Sequence, residues 1–280
     1  MGLLRFRYRD GPLRIGYLVD GIVFDLSENF ESYSAAVCEL NSLTERFVTK
    51  ESLQTFSVKE IQIKSPVEPS SIIRLEGCYE HDVIDKGANP HVEDAGLNEM
   101  SNPGLWVAPT TTLTSDQSTV HIPPQITDVR PSVELGVVVG KKASQVKGEA
   151  ARESVAGVTV CAGVTAYDEL PGLMGYKMFD NFLPCGPAVV PAKPLNIEDL
   201  MLGLKHNGDL VDVKSTTSLR YSLGELVEYV SHVMTLSPGD FITTGSPVRD
   251  MPTLEDGDEF NAWVESVGRI QTTIQKEESI

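Results

Sequence analysis

The first part of the chain alternates between apolar and polar residues, a pattern typical of short antiparallel strands. Residues 3–8 alternate in this way and lead into the turn residues Asp10-Gly11-Pro12. Residues 13–19 form a second such stretch, which ends at Asp20-Gly21, another hairpin signal. Residues 28–60 instead carry apolar positions at the spacing of a helix, so we expect helix there.

A proline-containing segment follows the predicted helix. Pro66 and Pro69 each lack a backbone donor and stop regular structure, so we expect a linker at this point. The linker divides the chain into a small N-terminal hairpin-and-helix domain at 1–66 and a larger domain at 67–280.

Strand patterns dominate the larger domain. Residues 132–140 are so rich in valine that we expect a strand covered on both faces. Residues 222–234 have apolar positions at helical spacing after a serine cap and predict a helix. Strands and helices do not alternate, so the predicted fold class is mostly β with some α (α+β) and not a Rossmann sheet. The other predicted strands are 155–165, 185–190, 202–211, 240–244 and 259–264.

Charge and composition exclude several classes of function. The formal net charge of -17 disfavours binding to nucleic acid or to an anionic membrane. No segment approaches the roughly 18 apolar residues that a membrane helix needs, and no signal peptide is evident. The four cysteines show no metal-binding or disulfide spacing and predict reduced core thiols. We therefore expect a soluble, cytoplasmic protein, in which an anionic substrate would need a cation in its site.

Seven short motifs occur in one order along residues 133–270. Each is weak alone, but the ordered set resembles the fumarylacetoacetate hydrolase family. The resemblance implies a mixed β-roll or β-sandwich core, an enzyme and a homodimer. The motifs span 133–140, 166–168, 176–187, 206–209, 236–247, 254–258 and 267–270.

The resemblance also implies a site that holds a divalent cation, Mg²⁺ or else Mn²⁺ or Ca²⁺. By match to the motifs, Glu134 and Asp168 are the metal ligands. Lys177 is a catalytic and substrate-binding ammonium, and the turn Gly245-Ser246-Pro247 contacts the substrate carboxylate. Such a cation would chelate a 2-oxo acid and stabilise the enolate that develops from it.

Each of these residues also has a simple structural interpretation. Glu134 could be an outward-facing charge on an edge strand, Asp168 could cap the loop that follows it, and Lys177 could be a solvated surface lysine. The family motifs favour the functional interpretation for all three.

The sequence departs from the family pattern near the expected pocket. Ser132 stands where the family has a carboxylate, so the metal is expected to bind weakly. His81 matches a catalytic base on a lid, but Ile84 occupies the position of its acidic partner. Asp85, four residues from His81, would face it on a helix and could orient it; a lone histidine is otherwise often a bystander.

Two hypotheses follow for the function. In the first, the protein is a metal-dependent hydrolase or lyase for a small 2-oxo acid, which cleaves an acylpyruvate or hydrates or dehydrates a 2-oxo-3-deoxy or 2-oxo-enoic acid. In the second, it is a protein of the same fold with a degenerate metal site, which serves as a non-catalytic binding or scaffold subunit. The fold does not choose between them, because function resides in the site.

Overall fold

The computed structural model describes residues 1–43, 46, 53–80, 102–168, 176–248 and 250–277. Its strands are β1 (Gly2–Tyr8), β2 (Arg14–Val19), β3 (Ile22–Asp25), β4 (Thr55–Ser57), β5 (Ile61–Lys64), β6 (Ile72–Glu76), β7 (Gly104–Ala108), β8 (Leu113–Thr114), β9 (Ser118–Ile122), β10 (Val129–Val139), β11 (Val155–Ala166), β12 (Leu183–Pro191), β13 (Met201–His206), β14 (Asp209–Ser215), β15 (Phe241–Thr243), β16 (Glu259–Val264) and β17 (Gly268–Lys276). Its α-helices are α1 (Tyr33–Cys38), α2 (Glu149–Arg152) and α3 (Leu223–Val233).

The described strands form two mixed sheets, which confirms the predicted mostly-β class. The larger sheet runs in the order β4-β3-β2-β1-β12-β11-β10-β15-β6-β7, with β5 and β8 attached at its side. The smaller sheet runs β14-β13-β16-β17-β9. Most pairs are antiparallel, but β15 is parallel to β6, β17 is parallel to β9 and β8 is parallel to β12.

The N-terminal strands are continuous with the larger sheet. Strand β1 pairs with β12, with Leu3 opposite Val189, and residues of both regions share one hydrophobic cluster. The pairing of β1 with β12 joins residues on both sides of the predicted domain boundary near residue 66. The boundary itself stays a prediction.

Two sequence predictions are corrected in the N-terminal region. Within 28–60 the described residues form α1, short 3₁₀ turns and helical positions at Leu43 and Arg46, but Thr55–Ser57 joins β3 as a strand instead of helix. Cys38, predicted to be a core thiol, ends α1 at the surface, whereas the other three cysteines are buried.

The main hydrophobic core lies between the two sheets and under α3. Helix α3 begins at Ser222, whose hydroxyl accepts from the Glu225 amide while the Glu225 carboxylate accepts from the Ser222 amide. This capping box stabilises the first turn of the helix. The apolar face of α3 contributes Leu226, Val227 and Val230 to the core, as the sequence predicted.

Strand β10 lies in the middle of the larger sheet and, as expected, both of its faces are covered. Its Val133 and Leu135 side chains enter the core between the sheets. The opposite face carries Ser132, Glu134 and Gly136, because successive side chains of a strand point to opposite sides. This second face presents a carboxylate inside the protein, and Glu134 is fully buried.

Candidate functional site

A buried carboxylate with three donors forms the centre of the site. Glu134 Oε1 accepts a hydrogen bond from Arg74 Nη2 at 2.8 Å, from Ser132 Oγ at 3.0 Å and from Lys177 Nζ at 3.3 Å. Arg74 is as fully buried as Glu134. Such a charge is tolerated inside a protein only when it is paired and hydrogen-bonded, and both conditions hold here.

Lys177 joins this carboxylate to a second one. Its Nζ lies 2.6 Å from Glu76 Oε1 and 3.3 Å from Glu134 Oε1. The Tyr176 hydroxyl is also bonded to Glu76. Lys177 is 5% exposed and Glu76 is 9% exposed, so this pair forms the side of the cluster that is nearest to solvent. We refer to Arg74, Glu76, Glu134 and Lys177 as the ion-pair cluster.

The short strand β15 explains how these residues meet. In the sheet order β10-β15-β6, strand β15 ends at Thr243, which pairs with Arg74 on one side and with Gly136 on the other. Glu134 lies two residues before Gly136, on the same face of β10. The long side chain of Arg74 therefore crosses β15 diagonally and reaches Glu134.

The charges of the cluster stabilise one another. Burial alone raises the pKa of Glu134, but the positive charges of Lys177 and Arg74 outweigh it and lower this pKa to about 2. Burial likewise lowers the pKa of Lys177, but Glu134 and Glu76 outweigh it and raise this pKa above its ordinary value. Glu134 and Lys177 are therefore both charged at neutral pH.

Asp168 lies in a different place. Its Oδ2 accepts from the backbone amides of Thr127 and Asp128 at 2.9 and 3.0 Å, and its Oδ1 accepts from the Thr127 hydroxyl. Asp128 precedes Glu134 by six residues of extended chain, or about 20 Å at roughly 3.3 Å per residue. The structure does not bring Asp168 to Glu134, and its observed contacts are those of the loop cap considered above.

The turn Gly245-Ser246-Pro247 lies beside the cluster. A side-chain carbon placed on Gly245 would lie 3.1 Å from the Leu75 carbonyl and 3.8 Å from the Glu76 Cα, and Gly245 has a φ of +70°. The turn therefore packs tightly against the end of β6, next to Glu76. The Ser246 hydroxyl accepts from the Val248 amide.

Aromatic side chains continue the site toward the surface. The Trp106 and Tyr176 rings lie 5.7 Å apart, and the Arg130 guanidinium lies 4.4 Å from the centroid of Tyr167. Burial raises the pKa of Tyr167, which also senses the charges of Lys177 and Glu76. These rings surround this side of the cluster with aromatic side chains.

The predicted base His81 and its partner Asp85 lie outside the described residues. Their roles stay predictions. In contrast, Arg74 and Glu76 were missed by sequence reasoning. Both lie on β6, where they alternate with Ile73 and Leu75, a pattern typical of a strand with one solvated face.

The donor set around Glu134 does not fit a divalent cation. Hard cations such as Mg²⁺ take about six oxygen ligands, of which the protein usually supplies one or two carboxylates that are free to bind, and waters supply most of the rest. Glu134 Oε1 is already bonded to two cationic side chains and a hydroxyl, and only Oε2 lacks a hydrogen-bond partner within the described structure. No group of three His, Cys, Asp or Glu side chains among the described residues could hold a metal ion.

Comparison with known proteins identifies the family. Residues 71–275 match the model of the fumarylacetoacetate (FAA) hydrolase C-terminal domain. The chain belongs to this family. An uncharacterized protein of Pyrococcus horikoshii is 34% identical over 221 residues, which is 76% of this chain and 92% of the relative. The mitochondrial oxaloacetate tautomerase of Mus musculus is 30% identical over 196 residues, which is 67% of this chain and 88% of the relative.

Solved structures confirm the family fold over the whole length. Maleylpyruvate hydrolase from Sphingobium sp. SYK-6, in complex with manganese(II) ion and pyruvate, matches with a TM-score of 0.80 and 22% identity, covering 99% of this chain and 100% of that one. The 5-carboxymethyl-2-hydroxymuconate delta-isomerase of Mycobacterium smegmatis matches with a TM-score of 0.78 and 25% identity, and each chain is covered completely. The relatives and structural neighbours thus include an oxaloacetate tautomerase, a 5-carboxymethyl-2-hydroxymuconate delta-isomerase and a maleylpyruvate hydrolase.

The helices in the described part of the chain offer no membrane span, since none combines the necessary length with sufficient apolarity. The predicted cytoplasmic location and homodimer stay predictions.

Proposed function

We propose that this protein is an enzyme that acts on a small 2-oxo acid, with the ion-pair cluster as its catalytic centre. The observation that carries the proposal is the Lys177–Glu76 contact of 2.6 Å, which places a proton donor and a proton acceptor side by side at the least buried edge of the cluster. The substrate class is supported by the family to which the chain belongs and by its similarity to an oxaloacetate tautomerase.

The geometry favours keto–enol chemistry. Glu76 would accept the proton from the carbon next to the keto group, while Lys177 would donate a hydrogen bond to the keto oxygen as negative charge develops there. The turn Gly245-Ser246-Pro247, beside Glu76, would contact the substrate carboxylate. This enolisation is common to tautomerisation, acylpyruvate hydrolysis and the hydration or dehydration of 2-oxo acids, so the cluster supports the whole class.

The function can be tested with a panel of oxaloacetate, acylpyruvates and 2-oxo-3-deoxy acids, following the loss of substrate by absorbance. We expect turnover of at least one member of the panel. The variants Lys177→Met and Glu76→Gln should each lose 10²-fold or more in kcat/KM, on the order expected for an acid–base group. The variant Lys214→Met should show no change in kcat/KM. Lys214 is a matched control because it lies on β14 in a partly exposed ion pair with Asp212.

A second candidate is a binding subunit without turnover. The binding subunit is favoured because the charges of the cluster balance one another and the cluster is closed around Glu134. Such a cluster would hold a ligand without activating it. Calorimetric titration with oxalate or pyruvate decides between the two. Binding of oxalate by a folded protein that turns over none of the panel would support the binding subunit and contradict the enzyme.

A further inference from the structure

We propose that Arg74 is a built-in cation at Glu134, where it takes the place of a divalent metal ion, so that the site functions without bound metal. This inference deepens the proposed function and rests on it only in placing the cluster at the substrate site. It concerns the identity of the positive charge that the site offers to an anionic substrate.

The first observation is the occupancy of the Glu134 carboxylate. Arg74 Nη2 lies at bonding distance from Oε1, and Arg74 Nη1 lies 3.4 Å from the Lys177 carbonyl. The guanidinium is therefore fixed between β6, β10 and the segment that carries Lys177. A cation bound to the same oxygen would lie within a few ångström of two positive side chains, which would repel it.

The second observation is the lack of space. Gly163 on β11 pairs directly with Ser132 on β10. A single carbon added to Gly163 would lie 2.5 Å from Ser132 Oγ, 2.8 Å from Glu134 Oε1 and 3.2 Å from Arg74 Nη2. The guanidinium and the serine hydroxyl thus fill the volume in front of the carboxylate, where even a methyl group would not fit without movement of its neighbours.

The third observation is the charge balance. Arg74 and Lys177 offset Glu76 and Glu134, so the described cluster has no excess negative charge to attract a dication. The serine at 132 contributes a hydroxyl donor where a carboxylate would be required. Arg74 holds Glu134 neutralised, and Lys177, on the less buried side of the cluster, is the cation that can bind an oxygen of an anionic substrate.

The experiment measures metal binding without substrate. The purified protein is treated with EDTA and dialysed to remove the chelator. It is then titrated with Mn²⁺, and the free Mn²⁺ is measured by electron paramagnetic resonance. We expect no stoichiometric Mn²⁺ in the unmodified protein and no Mn²⁺-dependent rise in Tm. One tightly bound Mn²⁺ per chain would overturn the proposal.

A double variant tests the cause. Arg74→Ala combined with Ser132→Glu removes the guanidinium and adds a carboxylate to the space it leaves, so we expect this variant to gain one Mn²⁺ per chain. A folded double variant that binds no Mn²⁺ would contradict the role given to Arg74. If the double variant does not fold, Arg74→Lys keeps the charge in a smaller group and is expected to exclude Mn²⁺ as the unmodified protein does; its stoichiometric Mn²⁺ binding would contradict the proposal.

Activity then separates this inference from the proposed function. Turnover that persists in EDTA supports both. Turnover that is abolished by EDTA and restored by Mn²⁺ keeps the enzyme but overturns the built-in cation. Absence of turnover together with absence of Mn²⁺ binding removes the enzyme and supports the built-in cation.

Discussion

Glu134 and Asp168, two acidic residues that the sequence motifs assign to one metal ion, occupy very different environments. Glu134 is buried in the middle of β10, and its partners are two cationic side chains and a hydroxyl. Asp168 lies just beyond the end of β11, and its partners are two backbone amides and one hydroxyl. The first carboxylate neutralises buried charges, and the second fixes a turn.

The comparison teaches that strand register decides which residues meet. The β10–β11 ladder places Glu134 opposite Cys161 and places Ser132 opposite Gly163. Asp168 lies five residues beyond Gly163, past the end of the ladder, where it can reach only the segment that leads into β10. The motif match thus assigns Asp168 to the Glu134 site, which β11 approaches at Gly163, whereas Asp168 itself lies five residues further on, beside Thr127 and Asp128.

The largest expected effect is on the buried member of the pair. Glu134→Ala leaves the buried guanidinium of Arg74 without its carboxylate, and breaking such a pair by removing one partner costs about 3–5 kcal/mol. We expect the free energy of unfolding, measured in urea, to fall by that amount. A loss below about 1 kcal/mol would show that the cluster does not depend on this carboxylate.

A smaller effect is expected at Asp168. Asp168→Asn keeps the shape of the side chain but weakens the bonds to the Thr127 and Asp128 amides, at a cost of about 1 kcal/mol at neutral pH. If this loss does not depend on metal, the unfolding free energy should fall by the same amount in EDTA and in Mn²⁺. A loss that appears only with Mn²⁺ present would restore Asp168 as a metal ligand.

The Asp168 effect has a defined pH dependence. Burial raises the pKa of Asp168, but the hydrogen bonds from Thr127 and Asp128 outweigh it and hold this pKa below its ordinary value. A carboxyl with a lowered pKa contributes stability above its unfolded-state pKa and loses it as pH falls through the folded-state value. The difference in unfolding free energy between Asp168→Asn and the unmodified protein should therefore vanish in acid.

Much of the fold could be predicted from the sequence because it depends on local patterns. The valine-rich run of β10 predicted a strand covered on both faces, and the spacing of Leu226, Val227 and Val230 predicted α3. The 28–60 region was predicted less well, since β4 forms by pairing with β3, a tertiary contact that overrides local helical spacing.

The site was only partly predictable. Glu134 and Lys177 were found by motif and lie together, but Arg74 and Glu76 were not found. Their alternation with apolar residues on β6 is that of a strand with one face in water. Both side chains are nevertheless buried, where Arg74 pairs with Glu134 and Glu76 pairs with Lys177. Charge pairing of this kind depends on which strands become neighbours, which the sequence pattern of one strand does not specify.

A double-mutant cycle between Arg74 and Glu134 tests the central claim most directly. The unfolding free energies of Arg74→Met, of Glu134→Gln and of the double variant give the coupling between the two side chains, free of effects that each substitution has alone. If the guanidinium is the built-in counter-ion of this carboxylate, the coupling should be about 2 kcal/mol or more. Additive losses, with a coupling near zero, would contradict the account.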